Sequence, residues 1–141
     1  YWKMFARYHY LSHSHNFAAR VFVGTLNDEV CMYTSILPFP HPTVKNTWKE
    51  HRTVVLPDYQ GIGLSRYSSD FIGEMLKNNG KHYITTTSNP ARIATLKKSS
   101  KWICTRIGRA SKGSNNGKIQ NKHKQGSTSS ERITASFKYV G

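Results

Sequence analysis

His51-Arg52-Thr53-Val54-Val55-Leu56-Pro57-Asp58-Tyr59-Gln60-Gly61-Ile62-Gly63-Leu64-Ser65 is the stretch on which the reading of this chain turns. Residues 53–56 predict a short strand covered on both faces, because three consecutive apolar side chains leave no polar side. Pro57 ends its ladder bonding. Beyond the glycines, Leu64, Tyr67, Phe71 and Met75, with Ile72 and Leu76, recur at three- and four-residue steps. They predict a helix with these residues as its buried stripe, stopped near Gly80. The first amides of a helix lack internal partners and the peptide dipoles leave its start partly positive, so an anion docks there. Gly61 and Gly63 lack a Cβ and let a ligand approach the main chain.

Two common phosphate loops do not fit this segment. A Walker A loop needs a Gly-Lys-Ser/Thr ending, which does not follow Gly63. A dinucleotide fingerprint needs a third glycine where Arg66 stands. What remains is Gln60-x-x-Gly63-x-Ser65 after Val55-Leu56-Pro57-Asp58-Tyr59. This resembles the acyl-CoA signature of GNAT-type N-acetyltransferases: Gln or Arg, two residues, Gly, one residue, then Gly or Ala. Ser65 departs mildly from it.

The resemblance implies an α/β (α+β) fold, a mixed sheet flanked by helices on both faces, with acyl-CoA entering where the motif strand and the next strand splay apart. It implies acetyl-CoA as co-substrate and an amine as acceptor. Gln60, Gly61, Ile62, Gly63, Leu64 and Ser65 would grip the pyrophosphate through main-chain amides. The backbone around Val55 and Leu56 would polarise the thioester carbonyl, and Asn89 and Arg92 would meet the pantetheine and pyrophosphate arms.

The order of elements extends the likeness over most of the chain. Residues 1–12 place Trp2, Phe5 and His9 on one helical face, predicting a helix crossing the sheet. Residues 18–25 and 30–37 predict a hairpin turning at Asn27-Asp28. Pro38, Pro40 and Pro42 force an extended connection to the motif strand. Residues 83–87 predict a strand, Ser88 or Asn89 caps a helix beginning at Pro90, and residues 103–107 and 133–140 predict two late strands. The family usually begins with a strand before its first helix. This chain opens on Tyr1 without a methionine, so it reads as one domain, 1–141, of a longer protein with a possible upstream domain.

A chain of 141 residues buries roughly two-thirds of its unfolded surface, enough for one unaided core. No apolar run approaches the roughly 18 residues of a membrane span, and the expected location is cytoplasmic. Cys31 and Cys104 have no companions at metal spacing and read as free thiols; His13, His15 and His41 complete no convincing zinc set, so no metal is expected. Lys and Arg number 21 against 7 Asp and Glu, a formal +14 that favours polyanions. Residues 112–130, with Lys112, Lys118, Lys122 and Lys124 and no acid, read as a flexible basic loop, either solvated or clamped on a nucleic-acid backbone.

Acetyl transfer needs a deprotonated amine, a polarised carbonyl and a stabilised leaving thiolate. Many members of the family protonate the thiolate with a tyrosine seven residues beyond the Asn89-like position, and here that residue is Leu96. His9 and Tyr10, beside Tyr8, are therefore candidate catalytic groups, as is His51 with its neighbour Glu50 at the start of the motif strand. Each has a plainer reading: amphipathic wall residues, a satisfied histidine, a strand-end polar pair. Trp2, Phe5, Trp48 and Trp102 read as core or substrate wall. Two alternatives stand beside an N-acetyltransferase. His9-Tyr10-x-Ser12 and the basic surface faintly resemble Mom-like phage proteins, which modify adenine in DNA on a GNAT-like fold. A non-catalytic nucleic-acid-binding module on a GNAT fold is the other.

Overall fold

The computed structural model describes residues 1–9, 16–109 and 133–141. Tyr10, Ser12, His13, His15 and the basic segment 112–130 lie outside the described residues. The elements run α1 (Trp2–Phe5), a 3-10 turn (Ala6–Tyr8), β1 (Arg20–Leu26), β2 (Glu29–Pro38), β3 (Thr47–Val55), a 3-10 turn (Pro57–Tyr59), α2 (Leu64–Asn78), β4 (His82–Thr87), α3 (Pro90–Lys98), β5 (Trp102–Arg109) and β6 (Ile133–Tyr139). This is the order expected from the sequence. The six strands form one sheet, β1-β2-β3-β4-β6-β5, antiparallel throughout except at β3–β4.

Asn27 and Asp28 both adopt positive φ, 50° and 64°, between the paired Leu26 and Glu29. That backbone matches the right-handed twist of a two-residue hairpin, and Asn and Asp tolerate it better than other residues with a Cβ. The motif strand starts six residues earlier than its apolar run suggests. Thr47 to Arg52 are polar or aromatic, yet all but His51 have a partner on a neighbouring strand, and tertiary pairing overrides the weak pattern.

The core is divided by the sheet. On one face α2 and α3 pack Ile72, Leu76 and Leu96 against Ile36, Tyr83, Trp102, Phe137 and Tyr139. On the other, Trp2 and Phe5 of α1 pack on Tyr33 and Val54. The helix predicted over residues 1–12 is one turn of α-helix and a 3-10 turn, and His9 already lies beyond it in extended backbone.

The stripe expected on α2 is corrected by a rotation of the helix. Tyr67 and Phe71 are 71% and 56% exposed, and the face toward the sheet is Ser68, Ser69, Ile72, Gly73 and Leu76. Small side chains there let the helix lie close to the strands. A Cβ at Gly73 would stand 2.5 Å from Cγ of Tyr139, whose hydroxyl donates to Glu74 at 2.7 Å. Burial and that carboxylate push the Tyr139 phenol up to about 12, so it donates across the neutral range. Gly73→Ala is expected to lower the denaturant midpoint by an amount equivalent to about 2 kcal/mol, overpacking outweighing the ~1 kcal/mol helix preference for alanine. A variant more stable than the parent would show that the ring gives way freely.

Candidate functional site

β3 and β4 pair in parallel only through Thr47, Lys49 and the residue between them, opposite His82 to Ile84. From Glu50 onward the two strands diverge. At the same level the β2–β3 register shifts: Ile36 faces Glu50 and Ser35 faces Arg52, so His51 is the extra residue of a β-bulge. A bulge bends its strand and re-aims its side chains. Here it sends Glu50 to the α2 face and leaves His51 Nδ1 3.5 Å from Ser35 Oγ. His51 lines a recess of about 410 Å³ with Lys49, Phe39 and Thr86.

The gap between the strands is braced from the helix side. Glu50 accepts from Arg92 at 2.8 and 2.9 Å, from Ser69 Oγ at 3.0 Å and from the Tyr83 hydroxyl at 3.0 Å. Arg92, Ser69 and Tyr83 together occupy the carboxylate's lone pairs, so Glu50 acts as a strut between β3, α2 and α3. Burial, and then the Glu50 charge, push the Tyr83 phenol well above its ordinary value, which keeps it a donor.

The glycine turn stands at the wide end of the gap. Gly61 and Gly63 adopt φ of 84° and 89°, and Gly63 is the N-cap of α2. Apart from the chain neighbours, no atom of the described residues lies within 4 Å of where a Cβ would stand at either glycine. The α2 start has no side-chain cap, so the amides of its first turn present bare donors to an incoming anion. Gln60 Nε2 donates to the Val55 carbonyl at 3.0 Å, folding the turn back on the strand end, while Ile62 is exposed and Leu64 and Ser65 are half-buried.

Backbone direction separates two residues that the sequence grouped. The Leu56 amide donates to the Cys31 carbonyl at 2.9 Å and is committed to β2. Strand alternation turns Val55 the other way, toward the gap, as its bond from Gln60 also requires. Asn89 caps α3, its Oδ1 accepting from the Arg92 amide at 3.1 Å. Arg92 itself is turned inward on Glu50 and Ser69. Leu96 is buried in the core between α3 and the sheet. His9 is buried edge-on to Trp2, which lies under the Arg52 guanidinium at 4.7 Å. Tyr10 lies outside the described residues.

A trough of about 760 Å³ adjoins the His51 recess, sharing Phe39, Lys49 and Thr86 with it. Its floor is the face of β4, β6 and β5 opposite α2 and α3. No sequence signal pointed to it, because its residues are the polar alternates of strands whose other face is core. Among the described residues no three His, Cys, Asp or Glu gather to hold a metal, and no helix is long and apolar enough to cross a membrane. Cys31 is buried, Cys104 exposed, and both are free.

The fold of the chain is similar to that of solved acetyltransferases. The ribosomal-protein-S18-alanine N-acetyltransferase of Escherichia coli superposes with a TM-score of 0.59 at 18% identity over 89% of this chain and 70% of its own. An acetyltransferase of Bacillus subtilis in complex with CoA gives 0.62 at 12% identity, over 88% and 78%. A GNAT family acetyltransferase of Elizabethkingia anophelis with acetyl-CoA bound gives 0.59 at 12%, over 88% and 77%. The chain has the GNAT fold. No protein-family model and no curated protein sequence matches it.

Proposed function

We propose that the protein is an acetyl-CoA-dependent N-acetyltransferase acting in the cytoplasm. The observation that carries this reading is the coincidence, at one end of the β3–β4 gap, of the divergence after Lys49 and the uncapped start of α2 behind Gly61 and Gly63. The amides from Gly61 to Ser65 receive the pyrophosphate. The pantetheine arm lies in the gap, and the Val55 amide donates to the thioester oxygen as negative charge develops there. Asn89 and Arg92 support the wall of the gap through the α3 cap and the Glu50 strut.

His51 takes the proton from the acceptor ammonium. It is the bulge residue of β3, faces the recess, and carries the side chain most often used as a general base. The amine then attacks the thioester carbon, the carbon–sulfur bond breaks, and the CoA thiolate leaves. Leu96 has no proton to give and Tyr83 holds its own on Glu50, so the thiolate is protonated from water.

Thermal melting with and without acetyl-CoA tests the binding half of this reading. His51→Ala tests the other half: thiol release from acetyl-CoA with an amine panel is expected to fall roughly 10²- to 10⁴-fold in kcat/KM and to lose its acidic limb. A variant with the parent's pH profile would leave His51 a structural residue. Since His9 is packed on Trp2, His9→Ala is assigned to stability and not to the chemistry.

A further inference from the structure

We infer that the acceptor carries phosphate groups, and that these lie in the 760 Å³ trough beside the His51 recess. Calling this ligand the acceptor rests on the acyltransferase reading; its binding does not. Lys49 of β3, Lys138 of β6 and Arg106 of β5 bring cations to the trough from three strands, and the imidazoles of His41 and His82 line it between them. Four strands at ~4.8 Å spacing spread these charges over roughly 14 Å, which suits a ligand with more than one anionic group.

The trough is also without acids. Asp28 and Glu29 sit at the β1–β2 turn, Asp58 in the turn after β3, and Glu50, Asp70 and Glu74 bond to Arg92, Trp102 and Tyr139 on the opposite face. Glu131 lies outside the described residues. Glu50 also lines the adjoining His51 recess, where Arg92 neutralises it, and no described carboxylate lines the trough itself, so the trough's cations are open to an incoming anion.

Phosphate fits better than carboxylate. Between the cations stand four hydroxyls: Thr105 donates to the Ser136 carbonyl at 3.2 Å and Thr86 and Ser136 share one hydrogen bond at 3.1 Å, which leaves Thr134 and one proton of the Thr86–Ser136 pair for a ligand. Donors spread over several strands converge on the three oxygens of a phosphate from different directions, whereas a carboxylate is matched by a planar fork. The His41 ring adds a further donor. Its Nδ1 accepts from the amides of Thr43 and Val44 at 3.3 and 3.2 Å, which leaves the ring proton on Nε2.

The experiment uses the full chain saturated with CoA, so that the glycine turn does not compete for the probe. Inorganic tripolyphosphate, a short single-stranded oligonucleotide and poly-glutamate of matched charge are titrated against the parent and against Arg106→Thr/Lys138→Thr. Threonine keeps the strand preference, and an unchanged melting temperature shows that the variant is folded. The phosphate probes are expected to bind the variant at least tenfold more weakly. For the oligonucleotide, the slope of log affinity against log salt should also be shallower by about 1.4, about 0.7 for each phosphate that the variant no longer neutralises. Much tighter binding of the oligonucleotide than of tripolyphosphate identifies a nucleic-acid acceptor; comparable binding identifies a compact phosphorylated amine. Equal binding by parent and variant, or poly-glutamate bound as tightly as the phosphates, overturns the inference. A chain that binds phosphate here yet does not melt higher with acetyl-CoA would overturn the acyltransferase reading alone.

Discussion

Glu50→Ala is expected to lower the stability of the protein by about 3–5 kcal/mol, because it leaves the Arg92 guanidinium with its charge uncompensated under the sheet. The carboxylate is 10% exposed and the guanidinium 17%, and their closest approach is 2.8 Å. Arg92 Nε is already buried without a hydrogen-bond partner among the described residues, so the group has little with which to replace Glu50. For a domain of this size the melting temperature should fall on the order of 10–20 °C. Glu50→Leu/Arg92→Leu removes both charges and should recover most of that loss, since a well-packed apolar pair is often as stable as the ion pair it replaces. If Glu50→Ala melted like the parent, the strut would be no strut. If the double variant were as unstable as the single one, the loss would lie in packing and not in charge.

Gly63→Val is expected to abolish the response to acetyl-CoA. At ligand one hundred times Kd the parent gains about 2.7 kcal/mol, a rise on the order of 10 °C. Valine at φ 89° is strained in its own right, and its side chain would fill the space over the α2 amides. The strain alone lowers the melting temperature, so the measured quantity is the shift on adding acetyl-CoA. Gly80→Val supplies the comparison, because Gly80 also has positive φ, 66°, and open space around it but stands at the other end of α2. It should melt lower than the parent and keep the full shift. An equal shift in the parent and in Gly63→Val would remove the glycine turn from the binding site, and no shift in the parent would remove acetyl-CoA itself.

Much of this architecture is legible along the chain. Asn27-Asp28, Pro57, Gly63, Asn89-Pro90 and Gly80 each act on the backbone of their own segment, and each stands at the boundary where its local chemistry places it. Less legible was anything decided by rotation or register. The apolar residues of α2 suggested a buried face through Tyr67 and Phe71, whereas the close approach of helix to sheet needed Ser68, Ser69 and Gly73 there. Val55 and Leu56 look alike in sequence, but hydrogen-bonding direction turns one to the gap and the other to β2. The partner of Arg92, an acid forty-two residues earlier, is likewise invisible to any local pattern.

The sequence by itself determined the turn that begins with Gln60 and ends in Gly63, because positive φ and bare helix amides depend only on neighbouring residues. It determined the order of strands and helices for the same local reason. Tertiary structure decided what the gap between β3 and β4 contains: the bulge that separates Glu50 from His51, the strut under it, and the acid-free trough beside it. These depend on which alternate residues of distant strands share a face, and that follows from register across the sheet, which no local pattern encodes.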